Sequence, residues 1–138
     1  MVEDDLIIRL WLVRVLEEAD FPVVDCDSAD RALIHLGRHA TGVIMILTGS
    51  HLPGIFDGPD LAQIASISWP SVTVVVTKDA DSVIADVPVG TIIMSKPLED
   101  ADVLAPAQLA QHRDELRRNM DRQFPGKRPH DVPSSRPM

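Results

Sequence analysis

One cysteine, no tyrosine and only five aromatic side chains in 138 residues leave few of the devices on which small secreted or nucleic-acid-stacking proteins depend. Cys26 lies between Asp25 and Asp27, so it forms no internal disulfide, and the neighbouring carboxylates disfavour its thiolate. A structural cysteine is expected. No apolar run approaches the roughly 20 residues of a membrane span, and the N-terminus lacks the basic flank and long apolar stretch of a signal peptide. A cytoplasmic protein with no membrane contact is expected. Residues 1–112 carry 17 acids against 6 bases, a body that repels a phosphate backbone, and no Lys/Arg stripe interleaved with aromatics runs through it. Direct nucleic-acid binding is therefore not expected. There is no Gly-rich phosphate loop, no cysteine pair and no Ser/His/Asp set at informative spacing, so no enzyme signature emerges. His35 and His39 stand four apart, but Gly37 lies between them and His39 is expected beyond the helix end, which makes them surface histidines.

What is present is a regular alternation of apolar runs and amphipathic segments, in a chain long enough to bury a core without staples. Ile8, Leu12, Val15, Leu16 and Ala19 recur on one helical face from Asp5 to near Asp20. Phe21–Cys26 reads as a short strand, with Pro22 at its start or on an edge. Asp27 or Ser28 caps a helix carrying Ala29, Ala32, Leu33 and Leu36, closed near Gly37. Val43–Leu47 has no polar alternation, which suits a central strand covered on both faces. A turn-rich loop from Leu52 leads to Pro59 and a helix from about Asp60 to Ile67, ended by Trp69-Pro70. Ser71–Val76 is the next strand, 79–87 a weak helix at best, and Thr91–Met94 the last strand. Glu99 or Asp100 can start a helix that Pro106 should break or kink, resuming from Ala107 to about Gln123. Leu109, Leu116 and Met120 are sparse there, so most of that helix should face solvent or a partner.

Alternating β and α units with right-handed crossovers give a doubly wound parallel sheet, whose functional site lies beyond the C-terminal ends of its strands. Those ends carry Glu3-Asp4-Asp5, Gly49, Thr77 and Lys96. With Leu52-Pro53-Gly54 and Asp57-Gly58 in the third loop, Val75-Val76-Thr77, and Lys96-Pro97, the chain resembles the receiver domain of bacterial two-component response regulators over residues 1 to about 104. The resemblance implies a flavodoxin-like α/β fold with strand order 2-1-3-4-5. It also implies an acidic pair for Mg²⁺ at Glu3 and Asp4, a switch hydroxyl at Thr77 and a phosphate-neutralising lysine at Lys96.

The phosphoacceptor aspartate of that family maps to Gly49, which has no side chain to phosphorylate. Thr48 and Ser50 are poor substitutes, since alternation along an extended segment turns them away from the side residue 49 faces. Asp57 matches instead the Asp-Gly that precedes the third helix. Without the carboxylate the pocket charge falls to about −1, and Lys78 could cancel it, though a solvated surface lysine is an equal reading. Weak Mg²⁺ binding or none is expected, with no other cofactor. His51 sits where the family offers a backbone carbonyl to the metal. Met94 and Ile93 occupy the positions where the family commonly has its switch aromatic, and the segment between Thr77 and Lys96 is short. Both fit a domain no longer switched by phosphate.

The first strand is cut to Met1-Val2, although the family places it in mid-sheet. Its loss would leave neighbouring backbone groups unpaired at a cost of roughly 1–3 kcal/mol each. Either the polypeptide extends upstream, which is the favoured reading, or the second strand closes the gap, or another chain supplies the strand.

The expected organisation is a receiver-like domain over 1–104, a helix over 105–123, and a disordered Pro/Arg-rich tail over 124–138. The expected function is a phosphorylation-incompetent signalling or adaptor module, not an enzyme, that contacts a sensor kinase or downstream signalling protein. A homodimer through the basic C-terminal segment stays open, beside a merely solubilising tail. Two alternatives stand: an ordinary phosphorylatable receiver carrying an Asp-to-Gly variant, and a flavodoxin-like domain binding an anion or other ligand near Thr77, Lys78 and Lys96.

Overall fold

The computed structural model describes residues 1–84 and 86–126. Among the described residues three parallel strands form the sheet in the order β1 (Met45–Gly49), β2 (Thr73–Lys78) and β3 (Ile92–Ser95). Helices α1 (Leu6–Glu18), α2 (Ala29–His39), α3 (Gly58–Ser68) and α4 (Asp100–Gln123) cover it. Alternation along the strands divides the core. Ile46, Val74 and Val76 pack with Val2, α2 and α3 on one face, while Leu47 and Val75 pack with α1 and α4 on the other. Each such buried Val or Leu contributes about 1.5–3 kcal/mol, which is why Met45–Leu47 and Val74–Val76 carry no polar alternation. The fold is a doubly wound α/β sheet.

Residues expected to form the first two strands add only bridges to it. Val2 pairs in parallel with both Thr48 and Cys26. Counting that stub as first and the segment at Cys26 as second, the lateral order is 2-1-3-4-5. The second strand therefore does not close over the gap, because the stub occupies the central position. Phe21–Cys26 lacks a regular ladder, since Pro22 has no N–H and little strand lies beside it.

Local chemistry sets the helix ends. Asp5 accepts from the N–H groups of Ile7 and Ile8 at 2.9 and 3.1 Å and starts α1. Asp20, at φ 65°, ends it; Asp20 N–H donates to Glu17 O and Phe21 N–H to Leu16 O, a Schellman closure. Ser28, rather than Asp27, caps α2. That helix runs through Gly37 to His39, contrary to the expected stop. Nothing crowds Gly37, and the 3-10 turn Ala40–Gly42 satisfies the last turn instead.

The predicted break at Pro106 is absent. Helix α4 is continuous from Asp100 to Gln123 and docks through Val103, Pro106, Ala107 and Ala110. Burial of that face outweighs the N–H hydrogen bond proline cannot donate. The boundary expected between 104 and 105 thus falls inside one helix that belongs to the body. No helix forms among the described residues of 79–87. The tail expected over 124–138 lies, from 127 onward, outside the described residues.

Candidate functional site

The C-terminal ends of the stub, β1, β2 and β3 converge. Gly49 lies opposite Thr77 in the β1–β2 register, and Lys96 follows β3, its N–H donating to Lys78 O at 2.7 Å. Both strand ends reach two residues farther than the sequence suggested, so Gly49 and Thr77 are ladder residues and not loop residues.

Glu3 fills the centre of this site. Only 3% exposed, it places Oε2 3.2 Å from where a Cβ on Gly49 would stand, with Leu52 Cδ2 next at 3.7 Å. Oε2 pairs with Lys96 Nζ at 3.5 Å, and Oε1 accepts from Asp5 N–H at 3.2 Å. Arg9 Nη1 donates to Glu3 O at 2.9 Å, and its guanidinium pairs with Asp25, pinning the backbone that aims this carboxylate. Burial pushes the Glu3 carboxyl above its ordinary value. The Asp5 N–H and Lys96 oppose that shift, and Asp4 adds to it. The carboxylate thus lies in the space that glycine leaves open, tied to the lysine.

The remaining residues separate. Asp4 is exposed and lines a shallow cleft of about 370 Å³ with Asp27, Ser28, Asp30, Pro53 and Gly54. Thr77 is buried and its hydroxyl donates to Thr48 O at 3.4 Å, along the sheet. Thr48 donates to Gly49 O at 2.9 Å. Lys78, counted with the pocket from its place after Thr77, is engaged elsewhere. Its ammonium donates to Ser82 O at 2.9 Å and to Asp79 O and Ala80 O at 3.4 Å, and among the described residues it pairs with no carboxylate. His51 is exposed, and Asp57 caps α3 in a reciprocal box with Asp60.

No group of three or more His, Cys, Asp or Glu side chains gathers as metal ligands among the described residues. The Glu3 and Asp4 side chains lie close enough to interact, but Glu3 is tied to Lys96 and residue 49 brings no third carboxylate, so these residues do not fit a Mg²⁺ site as they stand.

One residue was read only as part of a motif and another escaped the sequence reading. Gly58, quoted with Asp57 in the third loop, packs so closely that a Cβ there would stand 2.0 Å from Gly49 O, an approach the pair itself does not signal. Asp30 accepts from Phe56 N–H at 3.3 Å and ties α2 to the third loop, a contact with no local pattern behind it.

No protein-family profile matches the sequence, and no curated protein matches it. Solved structures do. The signal receiver domain of an HD domain-containing protein from Pseudomonas fluorescens Pf-5 superposes with a TM-score of 0.70 at 22% identity, covering 83% of this chain and 94% of that one. A response regulator receiver domain protein from Clostridium thermocellum gives 0.73 at 16% identity, covering 83% and 94%. A response regulator receiver protein from Sinorhizobium medicae WSM419 gives 0.67 at 24%, covering 81% and 92%. With the lateral order already described, these likenesses identify the architecture as the flavodoxin-like α/β fold of response regulator receiver domains.

Proposed function

We propose that this protein is a receiver-like signalling or adaptor module of a two-component phosphorelay that acts by docking other proteins and is not itself phosphorylated. One observation carries the reading: at the position of the phosphoacceptor there is a glycine, and the Glu3 carboxylate paired with Lys96 occupies the adjoining space. A phosphoryl group would need both a nucleophile on residue 49 and a lysine free to neutralise it, and neither is on offer. Mg²⁺ binding is weak or nil, because Glu3 is already paired with Lys96 and residue 49 supplies no carboxylate. The module has no catalytic residue of its own. Its partners are a sensor kinase or a downstream signalling protein, its place is the cytoplasm, and it contacts neither nucleic acid nor membrane. No helix among the described residues is long and apolar enough to cross a membrane.

Incubation with acetyl phosphate and Mg²⁺, read by intact mass, tests this together with the Gly49→Asp variant. The native chain is expected to gain no phosphoryl group. A stoichiometric acid-labile adduct on it refutes the reading. If Gly49→Asp gains both the adduct and Mg²⁺ binding, the pocket is a receiver lacking one side chain; if it gains neither, the Glu3–Lys96 pair has closed the pocket to that chemistry.

A further inference from the structure

Helix α2 brings together two residues that a stop at Gly37 would have kept apart. Because the helix runs through Gly37 to His39, His35 and His39 stand one turn apart on the same face. Their ring centroids are 4.8 Å apart and the ring planes are tilted by 36°. A ring nitrogen directs its lone pair in the ring plane, straight out from the ring centre, so a metal about 2.0–2.1 Å from the nitrogen lies about 3.2 Å from the centroid. Two imidazoles on one ion at about 90–109° therefore hold their centroids about 4.5–5.2 Å apart, and the spacing found here falls within that range. Ala29, Ala32 and Leu36 anchor the helix in the core, so the rings are positioned before any ion arrives. The pair also spans the last turn, where the carbonyl end of the helix favours a cation. Arg31, one turn earlier on that face, is occupied with Asp27 at 3.5 Å. His39 is exposed and His35 half-buried, which leaves an approach from solvent.

We propose that His35 and His39 chelate one divalent transition cation of the Zn²⁺, Ni²⁺ and Cu²⁺ class across the last turn of α2. Neutral imidazole suits these borderline ions, whereas the hard ions Mg²⁺ and Ca²⁺ take oxygen ligands. No third His, Cys, Asp or Glu side chain gathers with the pair among the described residues, so water fills the remaining positions and the ion stays exchangeable. Bound there, the ion bridges the turn that contains Gly37, the weakest helix former in α2, and fastens the helix end. Both ligands belong to one helix. The site is complete within α2, draws on nothing beside β1, and is independent of the Glu3–Lys96 pocket.

The probe is Zn²⁺ alone, added as its chloride to the full chain in a non-chelating buffer and read by equilibrium dialysis and amide hydrogen exchange. The tightest site is expected to take one ion per chain and to slow exchange at Ala40 N–H, which donates to Leu36 O across that turn. His35→Gln and His39→Gln should each weaken the site at least about tenfold, a loss of about 1.4 kcal/mol. The double variant Gly37→His with His39→Gln keeps two imidazoles in α2 but sets them about 200° apart around its axis, so it should bind as weakly as His39→Gln. Nothing lies within 4 Å of a Cβ at Gly37 to oppose that change. Burial pushes the Cys26 thiol up and so disfavours a competing thiolate, and Cys26→Ser should keep the affinity. Ni²⁺ should follow the same pattern, and a tenfold excess of Mg²⁺ should displace neither ion. Four results overturn the proposal: unchanged affinity in either single histidine variant, full affinity in the Gly37→His, His39→Gln double variant, loss of the site in Cys26→Ser, or displacement by Mg²⁺.

Discussion

At the scale of single residues the pocket is decided by an exchange of positions. A side chain is absent at 49 and the carboxylate of Glu3, from the neighbouring stub, stands in the space, so that Lys96 keeps an anionic partner without a phosphoryl group. Glu3 bears the cost of burial in its raised carboxyl, and the sign follows from linkage. The folded state holds the Glu3 proton to higher pH than the unfolded state does. The contribution of this group to stability is therefore greatest at low pH, declines as pH rises from its ordinary value of 4.5 through the folded-state value, and is flat above. Urea unfolding of the native chain and Glu3→Gln across pH 4 to 8 should show the native chain losing stability relative to the variant over that window; parallel curves would contradict the assignment. Gly58 gives a second check. A Cβ 2.0 Å from Gly49 O cannot be relieved by a rotamer change, so Gly58→Ala should lose more than about 2 kcal/mol in the same assay, with the third loop displaced. The identities of Glu3, Gly49, Thr77 and Lys96 could be read from their places after apolar runs. Which acid turns inward could not, because it depends on Arg9 holding the Glu3 carbonyl and the Asp5 N–H holding the Glu3 carboxylate.

At the scale of elements, periodicity together with start and stop residues located the four α-helices, while tertiary contacts set their extents. Leu12, Val15 and Leu16 form the buried stripe of α1 as their spacing indicates, and Pro59 lies in the first turn of α3. Gly37 and Pro106 misled for one reason: each is a local signal for a break, and each sits in a helix held by what it packs on or by what caps it farther along. Helix α4 illustrates the balance. Its first half is docked through Val103, Ala107 and Ala110, whereas Leu116 is 50% exposed on the second half. Ala107→Glu should thus lower stability by about 3 kcal/mol or more by burying an unpaired charge against α1 and β2, and Leu116→Glu should change it by less than about 0.5 kcal/mol. Equal effects in chemical denaturation would mean that α4 is not anchored by its N-terminal half. The strands tell the complementary story. Unbroken apolar runs identified β1, β2 and β3, but Phe21–Cys26 has strand composition without a regular ladder, because a ladder needs a neighbour and only Met1–Glu3 lie alongside.

At the scale of the whole molecule, a parallel sheet gathers the ends of four chain segments over one edge, and the sequence order of those ends made the architecture legible before any contact was known. The distribution of charge was legible too, but not its consequence. An acidic body turns Glu3 inward to Lys96, sets Asp4 beside it at the rim of an outer cleft, and lines that cleft with Asp27 and Asp30, an arrangement that only packing determines. The most direct measurement is the intact mass of the protein isolated rapidly from cells in which its signalling partners are active. A single unmodified mass is predicted under stimulated and resting conditions alike. A species heavier by one phosphoryl group, labile to hydroxylamine and mapped to a carboxylate near Gly49, would contradict the account.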